Sequence, residues 1–247
     1  MGNMDINKVY LGDCLEIMPS IPDKSIDMVL CDLPYGVTAR NEWDSILPTV
    51  ALWTLWSRII KENGVIVLTA TQPFTSRLVL SNLEWFKYEW IWRKQQGTGF
   101  LNAKKQPLRN HESVLVFYSK QPTYNPQFTQ GTPYKCKSGK GSLDYGEQKQ
   151  VITENNGERY PLTVIDIPYD RFKLHPTQKP VALFEYLIRT YTNEGDLVLD
   201  NCAGSGTTGV ACKNLNRNYI LIEKEPKYYD IILKRLSQPV QGRILDN

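Results

Sequence analysis

Asp32 is the residue around which chemistry can be built. It follows the apolar run Ile26-Asp27-Met28-Val29-Leu30-Cys31 and opens the turn Asp32-Leu33-Pro34-Tyr35. A short apolar run bounded by turn residues reads as a buried strand. Asp32 offers acceptor oxygens, Pro34 fixes the backbone, and Tyr35 offers a flat aromatic face. That set suits a planar, amino-bearing ligand. The carboxyl ends of strands are also where open α/β sheets bind ligands.

A second constellation lies late in the chain. Leu197-Val198-Leu199-Asp200 is followed by Asn201-Cys202-Ala203-Gly204-Ser205-Gly206-Thr207-Thr208-Gly209. The pattern is a strand, a glycine-rich turn and a helix start. Glycine lets a backbone approach a ligand closely, and the first N–H groups of a helix are free to bind it. Glu223, at the end of the next apolar run, is placed to accept hydrogen bonds from a ribose diol. Gly204-x-Gly206-x-x-Gly209 also matches the dinucleotide fingerprint. A dinucleotide fold opens with that turn, however, whereas only about 40 residues follow it here. Asp200 would also repel a pyrophosphate and attract a cationic ligand instead.

The elements that must position these residues follow from periodicity. A strand over 9–12 ends at Asp13, and a brief helix over 15–21 follows. The strand over 25–32 leads through a loop with Asn41 and Trp43 to a helix over 47–63. There Val50, Trp53, Trp56, Ile59 and Ile60 recur at helical spacing, and Gly64 is the stop. Strands are expected over 65–68, 88–92 and 114–118, the last two joined by a long loop, with a helix over 76–85. Residues 120–170 lose this periodicity and are rich in Gly, Pro, Lys, Gln, Asn and Tyr. The pattern then resumes with a helix over 182–191, a strand over 197–199, a helix over 207–215, a strand over 219–222 and a helix over 226–236. This succession predicts an α/β domain with a mainly parallel sheet. Its halves are 1–119 and 171–247, and the insertion 120–170 between them is long enough to be functional.

The 247 residues carry a net charge of +3, so any polyanion partner must be met by local clusters. Two loops provide them: Arg93, Lys94, Lys104, Lys105 and Arg109 around Gly97-Thr98-Gly99, and Lys135, Lys137, Lys140 and Lys149 interleaved with Tyr124, Tyr134 and Tyr145. Basic and aromatic residues in loops suit phosphate contact and base stacking. The five cysteines form no C-x-x-C pair and read as reduced thiols of a cytoplasmic protein. With two histidines in the chain, no metal site is expected. No apolar stretch approaches the roughly 20 residues that span a bilayer, so no membrane partner is expected.

Together these residues resemble the beta subgroup of exocyclic-amino DNA methyltransferases, which use S-adenosylmethionine. The catalytic tetrad of that family is [D/N/S]-P-P-Y, and Asp32-Leu33-Pro34-Tyr35 departs from it only at Leu33. Asp200 to Gly206 looks like its cofactor loop. Tetrad first, target-recognition region next and cofactor loop last is the order of the beta subgroup. Gly12-Asp13-Cys14 and His175-Pro176-Thr177-Gln178-Lys179-Pro180 look like further motifs of it. The resemblance covers about residues 8–118 and 172–237.

It implies the S-adenosylmethionine-dependent methyltransferase fold, Rossmann-like, with circularly permuted motif order and an inserted target-recognition region over 120–170. The Asp32 carboxylate and the Leu33 carbonyl would hold the target amine, Pro34 the turn, and Tyr35 the base. Asp13 and Cys14 would lie near the cofactor's adenine, and Thr177 and Lys179 near its methionine end. Asp200, Cys202, Ala203, Gly204, Ser205, Gly206, Thr207 and Glu223 would complete the cofactor site. Asp13 as a helix cap and Lys179 as a surface charge are the plainer alternatives. The implied partner is double-stranded DNA, with the base flipped out because a duplex hides it. Asp at the tetrad head favours adenine N6; cytosine N4 on the same scaffold is the nearest alternative, and a non-catalytic DNA-binding module a further one. The family also suggests a homodimer and a cognate restriction endonuclease.

Overall fold

Strict alternation along the apolar strands decides the architecture. Met28, Leu30, Val65, Val67, Val114 and Val116 belong to one buried cluster, and Val29, Cys31, Ile66, Leu68, Leu115 and Phe117 to another. Strands apolar on both faces must be covered on both, which requires helices on each side of the sheet. The computed structural model describes residues 4–36, 47–137, 152–170 and 178–239, and the backbone of 141–142 and 146–147. The chain divides into two compact units, Met1–Asn125 with Thr163–Asn247, and Pro126–Leu162.

The larger unit begins with β1 (Lys8–Leu11), α1 (Cys14–Ile17), β2 (Ile26–Cys31), α2 (Thr49–Ile59) and β3 (Ile60–Ala70). It continues through α3 (Phe74–Ser81), β4 (Phe86–Thr98) and β5 (Arg109–Phe117). The smaller unit contributes β6 (Thr129–Gln130), β7 (Tyr134–Lys137), β8 (Gly141–Ser142), β9 (Gly146–Glu147), β10 (Ile152–Asn155) and β11 (Glu158–Arg159). The larger unit resumes with β12 (Val164–Asp166), α4 (Val181–Tyr191), β13 (Leu197–Asp200), α5 (Thr207–Asn214), β14 (Asn218–Glu223) and α6 (Pro226–Ser237).

The central sheet has the order β1-β14-β13-β2-β3-β5-β4-β12. β1 to β3 run parallel along that order, and β5 is antiparallel to both its neighbours. From β13 the chain moves to β14 on one side, and from β2 to β3 on the other. The strand order therefore reverses between β13 and β2, where an open α/β sheet forms its ligand crevice. Helices α1 to α3 cover the face of Val29 and Cys31, and α4 and α5 the face of Met28 and Leu30. No described helix is long and apolar enough to cross a membrane.

Four expectations change. The helix expected over 76–85 runs instead over Phe74–Ser81, because Asn82 leaves the helical region at φ −156, ψ 71. The helix expected over 47–63 stops at Ile59, because Ile60 turns extended and pairs with Ile26. Gly64 lies inside β3, where a Cβ would meet the Asp27 carbonyl at 2.9 Å; it permits close strand approach and stops no helix. The strands expected over 88–92 and 114–118 lengthen into the β4–β5 hairpin, paired as far as Thr98↔Arg109. Polar residues hid that extension.

Within the insertion, β6 pairs with β11, β7 with β10, and β8 with β9, all antiparallel. The three ladders are nested in sequence, each pair of strands enclosing the next. Beside the outermost ladder Phe128 and Tyr160 pack with ring centroids 4.8 Å apart, and the Arg159 guanidinium lies 4.7 Å from the centre of Tyr134. Residues 120–125 and 163–170 belong to the larger unit, where β12 extends the central sheet.

Candidate active site

β2 delivers Asp32 one residue past its carboxyl end, next to the strand that ends in Asp200. Both Asp32 oxygens are engaged. Oδ1 accepts hydrogen bonds from Tyr35 Oη at 2.5 Å and from the Thr69 hydroxyl, and Oδ2 accepts from Lys179 Nζ at 2.6 Å. Tyr35 packs on Phe74 at 5.3 Å between ring centroids, and Lys179 Nζ stands 5.5 Å from the centre of the Tyr35 ring. Burial and the charge of Asp32 push the Tyr35 phenol well above its ordinary value, so it remains a donor.

Beneath this turn runs a buried chain of alternating charges. Lys179 Nζ lies 3.4 Å from Glu112 Oε2, and Glu112 Oε1 pairs with Lys94. Burial opposes the charge on Glu112, but Lys179 and Lys94 outweigh it and hold the carboxyl below its ordinary value. Burial likewise opposes the charge on Lys179, and Asp32 and Glu112 more than compensate, raising the ammonium above its ordinary value.

The glycine loop is shaped by two acids. Asp200 is 2% exposed; its Oδ1 accepts the Cys202 N–H at 3.1 Å and its Oδ2 the Thr208 hydroxyl at 2.5 Å. Burial pushes its carboxyl up to about 7. Glu223 Oε2 accepts the Gly204 N–H at 2.6 Å, Oε1 accepts the Glu225 N–H at 2.8 Å, and burial raises this carboxyl too. Gly206 has φ +79, and a Cβ there would meet Ile232 at 2.8 Å, so the turn demands glycine. Ala203 is buried among Val9, Leu221 and Ile232. Arg235 donates to the Ser205 carbonyl at 2.7 Å and to Ser205 Oγ at 3.1 Å, bracing the loop from α6. Two acids and a tight turn before a helix N-terminus fit a ligand carrying both a cationic group and a ribose.

One short segment ties the loop to Asp32. Ser205 Oγ donates to Gln178 Oε1 at 3.2 Å, and Thr207 Oγ1 donates to the Lys179 carbonyl at 3.4 Å. The Lys179 side chain then reaches Asp32, and so is no surface charge. Asp13 caps α1 by accepting the Leu15 N–H at 2.9 Å, and its other oxygen meets Lys224 at 3.3 Å. Cys14, buried beside it, and Cys202 both receive the Asn201 amide, at 3.8 and 3.5 Å. All five cysteines are free. The neighbouring Cys202 and burial raise the Cys14 thiol, and burial pushes Cys31 up to about 12; both stay neutral packing groups. Leu33 is buried, and Pro34 partly so.

The basic residues divide. Lys94 was expected on a DNA-facing loop, but it is 7% exposed and spends its charge on Glu112. Arg93 is exposed and makes a two-pronged pair with Asp166 at 2.5 and 2.6 Å. Lys104, Lys105 and Arg109 stand exposed at the tip of the β4–β5 hairpin, beside exposed Phe100 and Leu101. Lys135 and Lys137 are exposed on β7, the former paired with Glu154. Lys140, Tyr145, Lys149, His175, Pro176, Thr177, Asn41 and Trp43 lie outside the described residues. Among the described residues no cluster could hold a metal ion. Thr69, Glu112, Gln178 and Arg235 enter the site without having been singled out in the sequence. Only Gln178, inside a motif already noted, carried a signal.

An acid and an aromatic ring at the switch point, with a glycine loop on the adjacent strand, define an α/β enzyme of the methyltransferase type. The chain belongs to the N6/N4 family of DNA methylases, whose model matches residues 26–234. The type II methyltransferase M.HinfI of Haemophilus influenzae is 29% identical over 270 residues, covering 94% of this chain and 69% of that protein. The crystal structure of the M1.HpyAVI–SAM complex aligns with a TM-score of 0.66 at 25% identity, over 94% of this chain and all but 1% of the other, 99% being covered. The cytosine-N4-specific PvuII DNA methyltransferase shares the fold, with a TM-score of 0.71 at 18% identity over 97% of this chain and 89% of its own.

Proposed function

We propose that this DNA methyltransferase transfers a methyl group from S-adenosylmethionine to N6 of an adenine flipped out of double-stranded DNA. The observation that carries the proposal is the Gln178-Lys179 segment, which binds the glycine loop with one residue and Asp32 with the next. S-adenosylmethionine supplies an electrophilic methyl group. Its cationic end and ribose suit the two acids of the loop, Asp200 and Glu223, with Gly204 to Thr207 around it.

The amino group of adenine is a poor nucleophile, because its lone pair is delocalised into the ring. Asp32 and the Leu33 carbonyl would accept its two hydrogens and favour a pyramidal nitrogen with the lone pair free. As positive charge develops on that nitrogen, the Asp32 carboxylate stabilises it. Tyr35 stacks on the base, and Pro34 limits the motion of the turn. Holding the reactants in line supplies several kcal/mol of barrier reduction. The exposed cations of the hairpin tip and the β6–β11 arm suit phosphates. The arm is the proposed source of target recognition. Asp at the head of the tetrad favours adenine over cytosine.

The test is transfer of labelled methyl to unmodified duplex DNA, with nucleoside analysis and mapping of the modified sites. N6-methyladenine is expected from the wild type, with a rate at least about 100-fold lower for Asp32→Ala. N4-methylcytosine would overturn the choice of base, and bound cofactor without any transfer would point to a DNA-binding module.

A further inference from the structure

Lys179 occupies both groups that the proposed mechanism assigns to the target base. Its Nζ is 2.6 Å from Asp32 Oδ2 and 5.5 Å from the centre of the Tyr35 ring. A base that uses that oxygen must compete with the ammonium for it, and the ammonium lowers its strength as an acceptor. Lys179 is 5% exposed, so its charge cannot simply withdraw into water; it must exchange one anionic partner for another. One such partner is within reach. Glu112 Oε2 is buried, 3.4 Å from Lys179 Nζ, and makes no hydrogen bond among the described residues. The other oxygen of Glu112 is held by Lys94, so the carboxylate is fixed and cannot turn away. A buried acceptor without a hydrogen bond is costly, and a second state of the protein that satisfies it would account for its presence.

We infer that Glu112 is a positioning residue: when the target base enters, Lys179 passes from Asp32 Oδ2 to Glu112 Oε2, freeing the carboxylate oxygen and the Tyr35 face together. This step rests on the proposed methyl transfer. The transfer of the ammonium leaves two acids and two lysines in the buried cluster, so its net charge does not change. It does move a cation away from Asp32, which then accepts more strongly from an amine gaining positive charge. The titratable and charged groups facing Asp32 are Tyr35 on its own turn, Lys179, Glu112 from β5, and Asp200 and Cys31 at the adjoining strand ends; the Thr69 hydroxyl also donates to it.

The test uses the full chain and a duplex with 2-aminopurine at the mapped target base, whose fluorescence rises on flipping. Single-turnover methyl transfer on the unlabelled duplex and the Kd for S-adenosylmethionine are measured beside it. In Glu112→Gln, Lys179 keeps its hold on Asp32. Base insertion and single-turnover rate are expected to fall by about 10–100-fold, with the cofactor Kd within about twofold of wild type. Glu112→Gln/Lys179→Met removes the cation that had nowhere to go and is expected to recover base insertion. Lys94→Met/Glu112→Gln removes the acid with its other partner and is expected to show the insertion defect in a better-folded protein. Wild-type insertion and turnover in Glu112→Gln would overturn the exchange. So would a Lys179→Met double variant no better than the single one, or loss of cofactor binding in step with activity. Wild-type enzyme that neither flips nor methylates any DNA would instead overturn the proposed function, and the exchange with it.

Discussion

Asp200 shows how burial at one residue couples stability to pH. Its folded pKa, about 7, lies above the ordinary aspartate value of 3.8, so the folded protein binds more protons between the two. Its contribution is fully present below about pH 4 and is lost as pH rises through 7, at up to about 1.4 kcal/mol per pH unit. Asp200→Asn, which keeps an acceptor for the Cys202 N–H, is expected to flatten that slope in urea titrations from pH 4 to 7. Unchanged slopes would mean that another group carries the dependence. Lys94 tests the buried ion chain. Lys94→Met leaves Glu112 with a single cation and is expected to cost about 3–5 kcal/mol of unfolding free energy. Removing both charges in Lys94→Met/Glu112→Gln should restore most of it, and a double-mutant cycle measures the difference.

The glycine turn and the β4–β5 hairpin make predictions as elements. Gly206→Ala adds a methyl group where the backbone is left-handed and Ile232 stands 2.8 Å away. A loss of about 1–3 kcal/mol is expected, with weaker cofactor binding, read by thermal unfolding and calorimetry. At the hairpin tip, Lys104→Ala/Lys105→Ala removes two exposed cations that take no part in the buried ion chain. DNA affinity should fall about equally for all sequences, and the salt slope of binding should drop by about 2. An altered choice of methylation site would instead assign the tip to base readout. These elements were unequally legible. The glycine spacing announced the β13–α5 turn directly. The outer half of the hairpin was hidden, because Arg93 to Thr98 alternate nothing apolar and are held by cross-strand pairing.

The chain combines a doubly covered sheet with an inserted unit whose described residues are mostly exposed. Replacing residues 126–162 with a flexible Gly/Ser linker is expected to leave the larger unit folded, with a cofactor Kd within about threefold, because loops and insertions tolerate exchange when the core is separate. Site-specific methylation should be lost while residual, unspecific transfer persists. Retained specificity would move target recognition into the larger unit. The apolar middles of the strands, the acid at the head of the turn, the glycine loop and the permuted order were legible in the chain itself. All of them rest on local patterns: apolar alternation, backbone freedom at glycine, and restriction at proline. Glu112, Thr69 and Arg235 could not be found that way. β5 runs against its neighbours, so its beginning lies beside the end of β3, with Ser113 opposite Ala70. That reversal brings Glu112 to the carboxyl edge of the sheet, among Lys94, Lys179 and Asp32. Strand direction and register are set by long-range pairing and packing, and those only the tertiary structure decides.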